Sequence, residues 1–282
     1  MPEGDTIFRS ARSLHAWLAG RELTAVRSVR AAVAPARLVG RRVDRVEARA
    51  KHLLLHLDNG DAVHTHLRME GSWHLYPAGA RWRKPVWQAR LVLEARDRVA
   101  VCFNAPVVEL LTAADLAAHP STSRLGPDVL VDPLDLAEVR RRAATRGAGT
   151  PIGELLLDQQ VVSGLGNVYR AEALFASRVN PFAPWSSLGD DGLDRLVTIA
   201  ARLMRANLAP ARGFDRDFGA GPGRPAVYGR TGRPCPRCGR AVTAALLGRQ
   251  PREVWWCPAC QPQPGDGGGG GGPSAQPAEA AP

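Results

Sequence analysis

The sequence predicts an α+β chain. An N-terminal helix and a domain of short antiparallel strands come first, then a helical domain that ends in a cysteine-bearing β-hairpin. Three observations predict this. Apolar residues recur at helical spacing directly after residue 6. Between residues 21 and 112, short β-like runs follow one another in series. Beyond residue 134 helical periodicity returns, and four of the five cysteines then fall into two close pairs. The 282 residues suffice for two domains with a sizeable core.

The first helix is marked by Ile7, Ala11, Leu14 and Leu18 on one face. Asp5 or Thr6 can cap its start, and Gly20 is a stop signal. Pro2 and Glu3 therefore sit just outside a helix N-terminus. The partial positive charge there favours a carboxylate or phosphate and disfavours a protonated amine.

Strands are expected over Leu23–Val29, Val43–Ala48, His52–Leu57, Ala62–Leu67, Ala89–Leu93 and Val99–Phe103. Asp58-Asn59-Gly60-Asp61 is a hairpin turn signal between two of them. Short strands in series form a sandwich or a barrel. Cys102, inside one run, reads as a small buried apolar residue. Helices follow over Ala113–His119 and Leu134–Arg146. From 151 to 209 the pattern is helical, with turns at Ser163-Gly164-Leu165-Gly166-Asn167 and Asn180-Pro181-Phe182-Ala183-Pro184. Residues 212–226, rich in Gly, Arg and Pro, read as a mobile loop. The expected division is a β domain over 1–120, a linker over 121–133 and a helical domain over 134–228. A four-cysteine module over 229–261 and a disordered tail over 262–282 complete it.

The formal net charge is +10 and the pI near 10.3, a balance that suits a polyanionic partner such as nucleic acid. The tail holds Asp266 and Glu279 and no base, so the rest carries +10 − (−2) = +12. Nearly all the positive charge is Arg, and Lys51 and Lys84 are the only lysines. An odd cysteine count with C-x-x-C pairs suits a reducing compartment. No signal peptide or membrane-spanning run is visible, and a cytoplasmic monomer is expected.

Cys235-Pro-Arg-Cys238 and Cys257-Pro-Ala-Cys260 are separated by eighteen residues, a strong zinc pattern. Four thiolates close a tetrahedron and leave no open position, so the expected Zn²⁺ is structural. Val242–Leu247 and Glu253–Trp256 read as two strands between the pairs, with Arg249 near the hairpin tip. The Gly164-Leu165-Gly166-Asn167 turn precedes a helix, where backbone N–H groups can converge on an anion. If Met1 is trimmed, Pro2 becomes a secondary amine that can attack an aldehyde-like carbon and form an iminium. Glu3 beside it can move the protons that such chemistry needs.

Four stretches in this order carry a specific resemblance. They are Met1-Pro2-Glu3-Gly4; Lys51-His52-Leu53-Leu54-Leu55; Leu155–Gln159 through Gly164–Phe175; and Val227-Tyr228-Gly229-Arg230 followed by the four cysteines. Together they resemble the formamidopyrimidine-DNA glycosylase/endonuclease VIII family of base-excision-repair enzymes, most closely its endonuclease VIII branch. The resemblance implies an N-terminal helix with an antiparallel β-sandwich. It also implies a helix–two-turn–helix domain with a zinc β-hairpin, and damaged DNA as partner. It implies Pro2 as nucleophile at the sugar C1′ and Glu3 as the acid/base at the deoxyribose. Lys51, Asn167, Arg249 and His66 would contact phosphates, and Met69 would fill the space left by an extruded base. The implied activity is glycosylase and AP lyase on oxidised bases, pyrimidines favoured. An oxidised-purine glycosylase and a non-catalytic zinc-containing DNA-binding protein are the alternatives. The chain departs from the family pattern in two places. Asp5-Thr6 stands where many members carry Pro-Glu, and Phe103–Glu109 lacks the Arg-Arg-Phe-Gly loop of the formamidopyrimidine branch.

Overall fold

A computed structural model describes residues 2–29, 33–208, 216–219 and 224–263. Most of the expected loop over 212–226 and nearly all of the expected tail lie outside the described residues.

Helix α1 spans Gly4–Leu18 and buries Ile7, Ala11, Leu14 and Leu18, the stripe read from the sequence. Its N-cap is Glu3, and no side chain caps it. Asp5 is thus inside the first turn rather than at the cap, because its carboxylate is drawn to Arg216.

Eight strands follow in two antiparallel four-stranded sheets. They are β1 (Ala25–Ser28), β2 (Val43–Arg49), β3 (His52–Leu57), β4 (Ala62–His66), β5 (Ser72–Pro77), β6 (Ala89–Ala95), β7 (Arg98–Phe103) and β8 (Val107–Leu111). One sheet runs β1-β6-β7-β5 and the other β2-β3-β4-β8. Leu53, Leu55 and Val63 of one sheet share a buried cluster with Leu91, Leu93 and Ala100 of the other and with the α1 stripe. This is the sandwich core. Cys102 is fully buried in it, and burial pushes its thiol well above the ordinary range.

Helices α2 (Ala113–Ala118) and α3 (Leu136–Ala144) lead into the helical domain. There α4 (Ile152–Leu155), α5 (Asn167–Ala176) and α6 (Gly189–Ala206) pack around Leu155, Leu165, Tyr169, Leu174, Leu196 and Ala200. Strands β9 (Thr243–Leu247) and β10 (Arg252–Trp256) form the final hairpin, paired from Thr243↔Trp256 to Leu247↔Arg252. The mixed helical and antiparallel architecture is the expected α+β class. No helix among the described residues is long and apolar enough to cross a membrane.

Candidate active site and nucleic-acid cleft

Helix α5 organises the site. Its first N–H groups have no partner within the helix and must find acceptors elsewhere. They find the carboxylate of Glu3, which is fully buried. Glu3 accepts from Gly166 N at 2.9 Å, Val168 N at 2.8 Å and Tyr169 N at 3.3 Å. Gly4 N also donates to Gly164 O at 3.0 Å. The chain start is thus tied by two hydrogen bonds to the glycine turn and by two to the first turn of α5. The sequence placed Glu3 at the positive end of α1; its side chain instead lies at the positive end of α5. Gly166 makes this possible, since a Cβ there would lie 2.4 Å from Glu3 Cδ.

Lys51 stands in the β2–β3 turn. Ala50 before it has φ +54°, the left-handed region that glycine enters freely. That turn is held from the helical domain, because Ala50 N donates to Asp128 Oδ2 at 2.7 Å. Leu130 N donates to the other oxygen of Asp128 at 2.9 Å, and burial raises the Asp128 carboxyl above its usual range. The Lys51 ammonium is itself desolvated. Burial brings its pKa down to about 8, with Glu3 opposing and Arg252 adding to the fall.

These groups line one cleft of about 1040 Å³, open to solvent between the sandwich, α5 and the hairpin. Pro2, Glu3, Lys51, His66, Met69, Asn167 and Arg249 all border it. The four paired cysteines are not among its lining residues. Met69 is 63% exposed in the turn before β5, as a side chain reaching into the cleft must be. His66 Nδ1 accepts from Arg68 N at 3.2 Å, and burial first, then Arg68 and Lys51, hold its imidazole neutral, with a pKa of about 4. Arg249 occupies the hairpin turn, and its backbone N–H donates to Glu154 Oε1 at 3.2 Å.

Asn167 lines the cleft, but its side chain is engaged. Its Nδ2 donates to Glu253 O at 3.0 Å, while its oxygen accepts from Arg170. Arg170 is fully buried and also donates to Glu253 O at 2.7 Å and Gly153 O at 3.2 Å. Burial first and Arg252 next lower its pKa to about 10. Two α5 side chains therefore hold β10 against the cleft wall. A third, Glu172, accepts from the N–H groups of Ala226, Val227 and Tyr228 at 2.8–3.0 Å, where the chain enters the cysteine module.

Sequence reading missed Arg170, Glu172, Arg252, Asp128 and Arg216. Arg216 clasps the buried Asp5 carboxylate through Nε at 2.8 Å and a terminal nitrogen at 2.7 Å, reaches Thr6 Oγ1 at 3.2 Å and lies over the Tyr169 ring. The Asp5-Thr6 departure is thus one half of an ion-pair cluster. A lone acid at position 5 gave no sign of a partner 211 residues away.

Cys235, Cys238, Cys257 and Cys260 bring their sulphurs within 4.8 Å of one another. Two separations are 3.5 and 3.9 Å, close to the ~3.8 Å edge of a tetrahedron with ~2.3 Å metal–sulphur bonds. The four could bind one metal ion, as in a zinc finger.

The sequence and the fold have counterparts in known proteins. The family model "Formamidopyrimidine-DNA glycosylase N-terminal domain" matches residues 1–106, and "Formamidopyrimidine-DNA glycosylase H2TH domain" matches 125–215. The chain is 41% identical over 276 residues to "Probable endonuclease 8 2" of Streptomyces coelicolor, covering 94% of this chain and 97% of that protein. It is 38% identical to "Endonuclease 8 2" of Mycobacterium tuberculosis, with 93% and 100% covered. In fold it is similar to the Lactococcus lactis formamidopyrimidine-DNA glycosylase bound non-covalently to DNA containing an AP site. That match has a TM-score of 0.79 at 20% identity, covering 93% of this chain and all of that one. On identity and coverage of this order, the chain belongs to the formamidopyrimidine-DNA glycosylase/endonuclease VIII family of base-excision-repair DNA glycosylases with AP lyase activity, on its endonuclease 8 2-type branch.

Proposed function

We propose that the protein removes oxidised bases from DNA, pyrimidines favoured, by forming a Schiff base at Pro2 and cutting the strand by β,δ-elimination. The observation that carries this is the convergence of Pro2, Glu3 and Lys51 on the cleft that Arg249 and Met69 also border. A stacked base is out of reach, so it is extruded, and Met69 occupies the space it leaves. Lys51 and Arg249 grip the phosphates around the lesion, with Asn167 and His66 beside them.

After removal of Met1, the Pro2 nitrogen attacks C1′. The N-glycosidic bond breaks with its electron pair going to the base, which leaves protonated. Glu3 moves a proton at the deoxyribose, whose ring opens, and the C1′–N bond becomes an iminium. Loss of a C2′ proton expels the 3′ phosphate, and a second elimination expels the 5′ phosphate. Water then hydrolyses the iminium and frees Pro2. The four cysteines hold a structural Zn²⁺ that keeps β9 and β10 in place. Preference for pyrimidines is supported by the connection between β7 and β8. Only residues 104–106 join these strands, too few for a loop that inserts an Arg and a Phe.

Borohydride reduction with abasic-site DNA tests the reading. The wild type is expected to give a covalent adduct, and Pro2→Gly or Met1-retaining protein none. A wild type that binds this DNA and never cross-links would leave a zinc-containing DNA binder. Excision of 8-oxoguanine in preference to oxidised pyrimidines would move the protein to the purine reading.

A further inference from the structure

A second group of potential metal ligands lies outside the cysteine module. His64 on β4, Glu109 on β8 and His119 at the end of α2 bring one ligand atom each to within 4.8 Å of the others. His64 Nδ1 is 2.7 Å from Glu109 Oε1, and His119 Nε2 is 3.0 Å from the same oxygen. The pairing His64↔Glu109 is a β-ladder register, so two of the ligands sit on rigid backbone. In the sequence, His64 opens the run His64-Thr65-His66, and Glu109 and His119 carry no metal-ligand spacing.

We propose that His64, Glu109 and His119 form a second binding site for a divalent first-row transition ion of the zinc type. Two imidazoles and one carboxylate are a zinc donor set, and three protein ligands leave a fourth position for water. Bonds of ~2.0–2.1 Å in a tetrahedron place ligand atoms ~3.3–3.4 Å apart. The 2.7 Å edge needs to open by about 0.6–0.7 Å and the 3.0 Å edge by about 0.3–0.4 Å, which side-chain rotation supplies, and the third edge lies within 4.8 Å. His64 is 1% exposed, whereas Glu109 and His119 keep 29% and 15% of their side-chain surface, which leaves an ion a way in.

The surroundings fit a ligating His64. Its other nitrogen, Nε2, lies 2.8 Å from His52 Nδ1 in a buried contact. A metal-bound imidazole ordinarily donates its second N–H to such a partner. His52 is itself buried, and its Nδ1 is placed to accept that proton. Metal on His64 Nδ1 moves that proton to Nε2, so His52 accepts at Nδ1 and carries its own proton on Nε2. Without metal, His64 donates to Glu109 and accepts from His52, and the His52 tautomer is reversed. His52 follows Lys51 and borders the cleft. The ion would therefore set whether His52 presents a donor or an acceptor beside the phosphate-gripping lysine. The site itself does not depend on the reaction assigned above.

Zinc counting by native mass spectrometry tests this on the full chain after loading with excess Zn²⁺ and desalting. Wild type is expected to hold two ions, and His119→Ala and Glu109→Gln one each, with melting temperatures of the zinc-loaded variants confirming folded protein. Cobalt added to protein carrying one zinc should give visible d–d bands without thiolate charge transfer, and none with His119→Ala. Imidazole ¹⁵N shifts should show His52 exchanging tautomers on loading. A wild type that retains a single ion and takes up no cobalt outside the thiolate site overturns the proposal, as does a His119→Ala protein that still holds two.

Discussion

Lys51 shows how a single residue is tuned by its place. Its ammonium is buried, and the protein holds its pKa near 8 rather than the ordinary 10.5. Between those values the unfolded chain binds more protons at this position than the folded one. Removing the charge relieves the burial cost, so DNA-free stability gains from Lys51 as pH rises from about 8 towards 10.5. DNA binding has the opposite sign, because a phosphate needs the protonated form. Affinity for abasic-site DNA should fall by up to about tenfold per pH unit above 8 through this residue. Lys51→Arg, charged throughout, should flatten that limb. Fluorescence anisotropy from pH 7 to 9.5 measures both, and a wild-type profile as flat as the variant's would remove Lys51 from the phosphate contacts. Lys51 itself stands out in the sequence, as one of two lysines in an Arg-rich chain and directly before an expected strand. What tunes it does not. Ala50 with its left-handed backbone, Asp128 from the other domain and Arg252 on the hairpin act through contacts made only on folding.

At the scale of elements, α5 joins what the sequence presents as separate motifs. Its N-terminus binds Glu3, its first turn binds β10 through Asn167 and Arg170, and Glu172 binds the lead into the cysteine module. The helices with clear periodicity and β2, β3, β4, β6 and β7 were readable from the residues. β5 and β8 were not. Ser72–Pro77 is mostly half-buried and reads Ser-Trp-His-Leu-Tyr-Pro, without clean alternation. Val107–Leu111 follows Pro106 and carries Glu109, which looks solvent-facing until His64 is opposite. The glycine turn suggested backbone N–H groups awaiting an anion, and the anion proves to be the protein's own carboxylate. That gives Gly166→Ala a definite outcome. The new methyl would sit 2.4 Å from Glu3 Cδ, with backbone donors behind it, so Glu3 and with it Pro2 must shift. A displacement of about 1 Å at reacting groups costs on the order of 10²-fold in rate, and local strain should destabilise the protein by about 1–3 kcal/mol. Single-turnover excision and borohydride trapping should fall together while DNA affinity changes little. Unaltered trapping would mean that the Glu3 anchor does not position the chain start.

For the whole molecule, the cleft has walls of different origin. The sandwich supplies Lys51, His66 and Met69 on a continuous hydrophobic core. The opposite wall ends in Arg249 and Arg252 on a two-stranded hairpin, an element too small to be stable alone. Its supports are the four-sulphur cluster, the α5 contacts to Glu253 O and the apolar packing of Trp255 with Ala171 and Phe175. Binding free energy of a structural zinc is folding free energy for such a piece. Stripping the metal with a chelator should therefore melt the hairpin first, leaving the sandwich folded. Arg170 would lose its Glu253 acceptor and remain buried with fewer partners, so the first turn of α5 should loosen too. Hydrogen exchange should show protection lost over 243–256 and partly over 167–172, with β6 and β7 unchanged. Affinity for DNA should drop, and its dependence on salt should become shallower by about two phosphate contacts, those of Arg249 and Arg252. Arg249→Ala alone should remove about one of them in the metal-loaded protein. If metal-free protein kept the full salt slope, the hairpin would not be a wall of the DNA site, and its two arginines would be ordinary surface charge.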